Sequence, residues 1–178
     1  ALAPVAAAYV ADMGADVVKV ESIHRPDGMR FAGAIPNEEL WEWSPVFHGA
    51  NPGKRGITLG MDSEEGMGLL RRLIAGADVL IENFSARVLE NFGLGWDDVR
   101  KINPNIIMVR MPAFGLDGPW RDRPGFAMTV EQVSGLAWLT GYRDLPLVVR
   151  GACDPIGGMH AVFALLLALE HRRQTGEG

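Results

Sequence analysis

The sequence predicts an α/β fold: a parallel sheet flanked by helices. Three observations carry that expectation. Short β-rich runs at residues 16–21, 56–60, 78–82 and 106–111 alternate with segments of helical character. The runs are apolar through their centres, as parallel strands covered on both faces are. Three of them end in a charged or proline-containing step, at Glu21, at Glu82-Asn83 and at Met111-Pro112, and lead into polar or glycine-containing loops. In parallel sheets, ligands bind beyond the carboxyl ends of the strands.

Each element follows from local chemistry. Residues 3–13 read as a helix stopped by Gly14, and residues 16–21 as a strand. Residues 22–53 hold Pro26, Gly28, Gly33, Pro36, Pro45, Gly49 and Pro52. They read as a long irregular loop interrupted by a short helix at 38–43. A strand at 56–60 precedes a helix at 62–75. Asp62 or Ser63 would cap that helix, and Met67, Leu70, Leu73 and Ile74 would form its buried face. After the strand at 78–82 come helical turns at 86–91, closed by Gly93, and at 96–102, stopped before Pro104. The strand at 106–111 and the loop at 112–125 precede a helix at 126–139. A short extended piece at 147–150 leads to a long helix at 154–174, closed by Gly176.

Composition narrows the function classes. The chain has 178 residues, 48% of them apolar and 22% charged, which suits one domain with a real core. A net charge of −5 with scattered basic residues gives no nucleic-acid surface. Cys153 is the single cysteine, so no intrachain disulfide forms, and its neutral reading is a small buried apolar side chain. The four histidines have no metal-ligand spacing, and no metal is expected. The longest apolar run, 161–169, is too short to span a bilayer, and the alanine-rich start does not read as a signal peptide. The expectation is a cytoplasmic protein with neither membrane nor nucleic acid as partner. Both ends look cut from a longer chain. Neither Gly-x-Gly-x-x-Gly after a strand nor a Walker A loop is present.

The most informative stretch is Gly151-Ala152-Cys153-Asp154-Pro155-Ile156-Gly157-Gly158-Met159-His160. It sets a carboxylate at the start of the longest helix, where unpaired N–H groups favour an anion. Glycines beside it admit another molecule close to the backbone. Asp154 is thus placed either as a nucleophile or as a helix cap with Pro155 in the first helical position. Gly157 and Gly158 lie one turn inside the helix, where close approach of a substrate or tight helix packing would offset their poor helix propensity.

The order of motifs resembles the class III coenzyme A transferase family. The matching pieces begin with Ala11-Asp12-Met13-Gly14-Ala15-Asp16-Val17-Val18-Lys19-Val20-Glu21, Asn51-Pro52-Gly53-Lys54-Arg55-Gly56-Ile57 and Ala77-Asp78-Val79-Leu80-Ile81-Glu82-Asn83-Phe84. They continue with Phe92-Gly93-Leu94-Gly95, Phe114-Gly115-Leu116-Asp117-Gly118-Pro119, Arg123-Pro124-Gly125-Phe126 and Cys153-Asp154-Pro155-Ile156-Gly157-Gly158, followed by Ala168-Leu169-Glu170-His171-Arg172-Arg173-Gln174-Thr175-Gly176-Glu177-Gly178. The resemblance implies a Rossmann-like parallel sheet. Residues 1–178 would form part of a large CoA-binding domain, without its opening strand and without the family's smaller domain. It also implies an interlocked homodimer.

The resemblance further implies a transferase that moves coenzyme A from an acyl-CoA to a carboxylic acid. Coenzyme A is then a substrate, and no permanently bound cofactor is expected. Asp154 matches the aspartate that forms an aspartyl-CoA thioester. Arg30, Lys54, Arg55 and Asn83 match positions around the nucleotide. Arg87 would replace an arginine missing at Asn91, and Pro52 stands where the family usually has another. Phe126, Gly157 and Gly158 match the substrate pocket. The racemase branch of the family has a His-Asp pair where this chain has Phe126 and Ala127, neither of which moves a proton. A 2-methylacyl-CoA racemase or epimerase is therefore the second reading, and a non-catalytic CoA-binding domain the third. Glu21 and Glu82 match signature positions that would orient loops. Trp41, Trp43 and Phe47 would line an acyl pocket or anchor their loop.

Overall fold

The computed structural model describes residues 2–147 and 151–178. The extended piece expected at 147–150 therefore lies largely outside the described residues. Among the described residues, the four strands fall in the expected order among eight helices: α1 (Leu2–Asp12), β1 (Val18–Glu21), α2 (Pro45–Ala50, where no helix was expected), β2 (Arg55–Thr58), α3 (Glu64–Ala75), β3 (Val79–Glu82), α4 (Arg87–Asn91), α5 (Trp96–Ile102), β4 (Ile107–Arg110), α6 (Ala127–Val133), α7 (Leu136–Leu139) and α8 (Cys153–Thr175).

The pairing is parallel, as expected, but divided. β1 pairs with β2 in the register Val18↔Arg55, and β3 with β4 in the register Val79↔Ile107. Among the described residues these are two two-stranded sheets rather than one continuous sheet. A β-rich run specifies a strand, but not which edge it will meet.

The core lies under the second pair. Leu59, Met67, Leu70, Ile74, Leu89, Leu94, Val99 and Ile106 form one buried cluster. The α3 helix supplies three of these because Met67, Leu70 and Ile74 recur at helical spacing on one face. Leu73, expected there too, is partly exposed. Of the two residues expected to cap α3, Ser63 does so, its Oγ accepting from the Gly66 N–H at 3.0 Å. Glu64 and Glu65 in the first turn and Arg72 in the last complement the helix dipole. Asn103 closes the layer, its Nδ2 donating to the carbonyls of Ile74 (3.1 Å) and Ala77 (2.8 Å).

Two segments depart from expectation. The helix expected at 126–139 breaks into α6 and α7, because Gly135 turns into the left-handed region at φ 82°. The long loop is also more ordered than its glycines and prolines suggest. It holds 3₁₀ turns at Gly28–Phe31 and Leu40–Glu42 as well as α2. Fully buried Ser44 fastens it: the hydroxyl lies 2.6 Å from the Ala32 carbonyl and accepts from the Phe47 N–H.

The α8 helix has 23 residues and ends at Gly176, φ 79°. Near that end Arg172 donates to the Asp78 carboxylate (2.8 Å) and to the Asn105 carbonyl (3.0 Å), which precede β3 and β4. One end of α8 is thus pinned at the amino ends of these strands. Asp154 lies roughly 27 Å away along the helix axis, at 1.5 Å rise per residue. The helix buries Gly158, Val162 and Leu165 and exposes Ile156, Met159, Phe163, Leu166 and Leu167. By length and composition it is the one helix among the described residues long and apolar enough to cross a membrane. Here it packs on α1 and α6.

Candidate functional site

The chemistry expected of Asp154 depends on how α8 begins. Gly151 swings the chain in at φ 89°, and Ala152 takes the cap position with helical φ and ψ. The helix starts at Cys153, so half-buried Asp154 is inside the first turn. This corrects the expectation of Asp154 as the cap and Pro155 as the first helical residue. The carboxylate still sits where the backbone N–H groups favour an anion. Burial pushes the neighbouring Cys153 thiol up, and the negative charges of Glu131 and Asp154 add to the effect, so its thiolate is disfavoured.

Gly158 serves packing. A Cβ there would lie 3.0 Å from Val5 Cγ1 and 3.3 Å from the Ala6 nitrogen, so the glycine lets α1 come against α8. Of the two explanations offered by the sequence, tight helix packing is the one that the contacts support. Gly157, one residue earlier, is half-buried. Phe126 precedes α6 and is 75% exposed. His160 is exposed and lines a shallow cleft of about 270 Å³ with Met159 and Phe163.

The basic residues expected around a nucleotide separate into distinct environments. Arg30 is engaged internally. Its Nε and Nη2 donate to both oxygens of Glu21 (2.9 and 2.8 Å), its Nη1 donates to the Trp41 carbonyl, and its guanidinium lies 3.8 Å from the Phe47 ring centre. Burial would raise the Glu21 carboxyl. The hydrogen bonds from Arg30 and the Asp27 N–H outweigh it and, with the Lys19 charge, hold it below the ordinary range. Lys54 donates to the Pro4 carbonyl (2.6 Å), the Ala50 carbonyl (2.7 Å) and Asn51 Oδ1 (2.8 Å). Burial, then the nearby Lys19 charge, draws its ammonium down to about 8. Lys54 therefore keeps its charge near neutral pH. It reaches the first turn of α1, the turn that packs on Gly158.

Arg55 is at the opposite end of its strand from the expected ligand. It opens β2 and pairs with Asp16, ahead of β1, with both side chains exposed. The expectation that it belongs with the nucleotide group places it at an amino end, whereas parallel sheets bind at carboxyl ends. Exposed Asn83 directly follows β3, and Arg87 opens α4 one turn later. Arg87 stands 3.9 Å from Asp122 in an exposed pair, which leaves its charge accessible. Arg30, Asn83 and Arg87 thus share carboxyl-end positions, and Arg55 does not.

Glu21 and Glu82 act as expected of loop-orienting residues. Glu21 accepts from the Asp27 N–H (3.1 Å), and Glu82 from the Phe84 N–H (2.7 Å). Of the loop aromatics, Phe47 is buried as an anchor. Trp43 is exposed and borders a shallow cleft of about 350 Å³ with Glu39, Glu42, Pro45 and His48. No group of three or more metal-ligating side chains occurs among the described residues.

Two residues escaped sequence reasoning. Arg110 ends β4 and grips both Glu82 and Glu90. Glu131, in α6, is wholly buried, and its Oε1 accepts from the Ala152 N–H at 3.0 Å. Its position in an otherwise ordinary helical pattern gave no signal of burial.

Known proteins share this arrangement. The beta subunit of a succinyl-CoA–L-malate CoA-transferase from Chloroflexus aurantiacus is 40% identical over 180 residues, covering 99% of this chain and 44% of its own length. The succinate–glutarate CoA-transferase of Agrobacterium fabrum is 36% identical over 182 residues, covering 98% of this chain and 45% of its own. The crystal structure of a CAIB/BAIF family protein from Brucella suis superposes with a TM-score of 0.90 at 39% identity, over 99% of this chain and 48% of that one. The chain thus spans somewhat less than half the length of these relatives. The family model for CoA-transferase family III matches residues 1–178, and the chain belongs to that family.

Proposed function

We propose that the protein carrying this chain is an acyl-CoA:carboxylate CoA-transferase with Asp154 as its nucleophile. The observation that carries the reading is the half-buried Asp154 in the first turn of α8. A carboxylate oxygen there can act as a covalent nucleophile. In the proposed course its oxygen attacks the acyl-CoA carbonyl, and the CoA thiolate leaves a mixed anhydride. The thiolate then attacks the aspartyl carbonyl, releasing the donor acid and leaving an aspartyl-CoA thioester. The acceptor carboxylate reverses these steps and departs as the new acyl-CoA. No water enters the cycle, and Asp154 is regenerated.

Relatives named for succinyl-CoA and for dicarboxylic acids support a small dicarboxylate as the acid partner. Asn83 and Arg87, exposed at the carboxyl end of β3, are our choice for coenzyme A contacts, with Lys54 set behind the α1 turn. An interlocked homodimer in the cytoplasm completes the reading. Phe126 and Ala127 supply no proton carrier, so racemisation is not favoured.

The test is mass spectrometry of the intact protein quenched during reaction with succinyl-CoA. An adduct on Asp154 is expected. Asp154→Ala should lose the adduct and at least about 10³-fold in turnover, since losing a covalent nucleophile costs up to about 10⁶-fold in well-studied enzymes. Undiminished turnover in Asp154→Ala would sink the reading.

A further inference from the structure

We infer that Glu131 is the positioning residue for Asp154, an assignment that rests on Asp154 acting as the nucleophile. The first turn of α8 lacks an ordinary cap. Ala152 at the cap position has no side-chain oxygen and makes no side-chain cap hydrogen bond. A helix often solves this with a capping box, in which Glu or Gln at the third helical position accepts from the cap residue's N–H. In α8 that position is Pro155, which has no acceptor to offer.

Glu131 supplies the missing acceptor from another helix. Its carboxylate crosses from α6 and takes the Ala152 N–H at 3.0 Å, two residues before Asp154. The residue is wholly buried, so this bond is shielded from competing water. Among the described residues its second oxygen, Oε2, has no hydrogen-bond partner. A buried carboxyl half-satisfied in this way is unfavourable by itself and calls for an explanation. The explanation here is that Oε1 fixes where α8 begins. Gly151, at φ 89°, is the pivot just ahead of the bond. Without Glu131 the pivot is free to swing, and the first turn that carries Asp154 swings with it. Glu131 touches no reacting atom. It orients the residue that does.

The experiment compares Glu131→Leu, Glu131→Gln and Ala152→Pro in the intact protein. Ala152→Pro deletes the donor without touching α6, and the native φ of −61° suits proline. The readouts are the rate of adduct formation on Asp154 with succinyl-CoA, the dissociation constant for coenzyme A, and melting temperature. Glu131→Leu and Ala152→Pro should each slow adduct formation by about 10²-fold, the effect of a misplacement near 1 Å, while coenzyme A binding holds. Combining them should add little to either. Glu131→Gln keeps an acceptor oxygen and should restore most of the rate.

Wild-type adduct rates in the Leu and Pro variants would overturn the assignment. So would rate, binding and melting temperature falling in step, which marks a packing residue only. Should Glu131→Leu fail to fold, Ala152→Pro decides by the same criteria. A wild-type protein that forms no adduct on Asp154 overturns the nucleophile reading itself, and that failure shows before any substitution is made.

Discussion

Two strand pairs in this molecule end in the same device, built in different ways. At the end of β1, Glu21 is gripped by Arg30, which arrives from the following loop. At the end of β3, Glu82 is gripped by Arg110, its direct register partner on β4. Both glutamates also accept a loop N–H. The difference is in what each arginine holds besides. Arg30 reaches the Trp41 carbonyl and covers Phe47, so it organises residues 22–50. Arg110 donates to Glu90 (2.7 Å) and to the Ala86 carbonyl (2.7 Å), so it binds strand, turn and α4 into the core layer. One motif therefore secures a loop, and the other secures the fold.

Substitutions should separate these roles. Arg110→Ala leaves Glu82 buried without its cation, and breaking such a pair costs about 3–5 kcal/mol. The expected result is a large drop in the urea midpoint, with much of the protein insoluble. A midpoint close to wild type would show that the second clasp is decorative. Arg30→Ala removes hydrogen bonds to a charged partner, worth about 1.5–3 kcal/mol. Its main signature should be faster proteolysis within residues 22–50. Acid probes the same clasp. The Glu21 carboxyl is held below its ordinary value of 4.5, so the stabilisation is complete above that pH and is lost as pH falls through the lowered value. Cleavage in this loop should rise there in the wild type but much less in Arg30→Ala. The smallest effect is expected at Arg55. Its pair with Asp16 is exposed, and such pairs contribute about 0–1 kcal/mol. Arg55→Ala should melt like wild type and bind coenzyme A unchanged. Weaker coenzyme A binding would return Arg55 to the site.

Much of this was legible beforehand, for identifiable reasons. Val79 to Glu82 and Ile107 to Arg110 read as strands because an apolar run bounded by turns has few other uses. Ser63 and Gly176 marked helix ends through side-chain and backbone chemistry that acts locally. Asp154 stood out because glycines flank it ahead of a long apolar helix. The misses were non-local. Gly135 breaks the 126–139 segment although one glycine in a helical pattern is often tolerated. The sequence did not show that the adjacent basic residues Lys54 and Arg55 reach different places, Lys54 donating to the Pro4 carbonyl and Arg55 pairing with Asp16. Glu131 carries no sequence mark of burial, because its partner is a backbone N–H that could belong to any residue.

The sequence by itself determined the α/β class, the order of the elements, the parallel sense of pairing and the place of Asp154 near the start of α8. These follow from periodicity, turn chemistry and motif order, which act over a few residues at a time. Only the tertiary structure decided that the strands form two pairs, that Arg30 and Arg110 hold different things, and that Glu131 reaches Ala152. Those outcomes depend on which surfaces meet, and burial and hydrogen-bond satisfaction are settled between segments far apart in the chain.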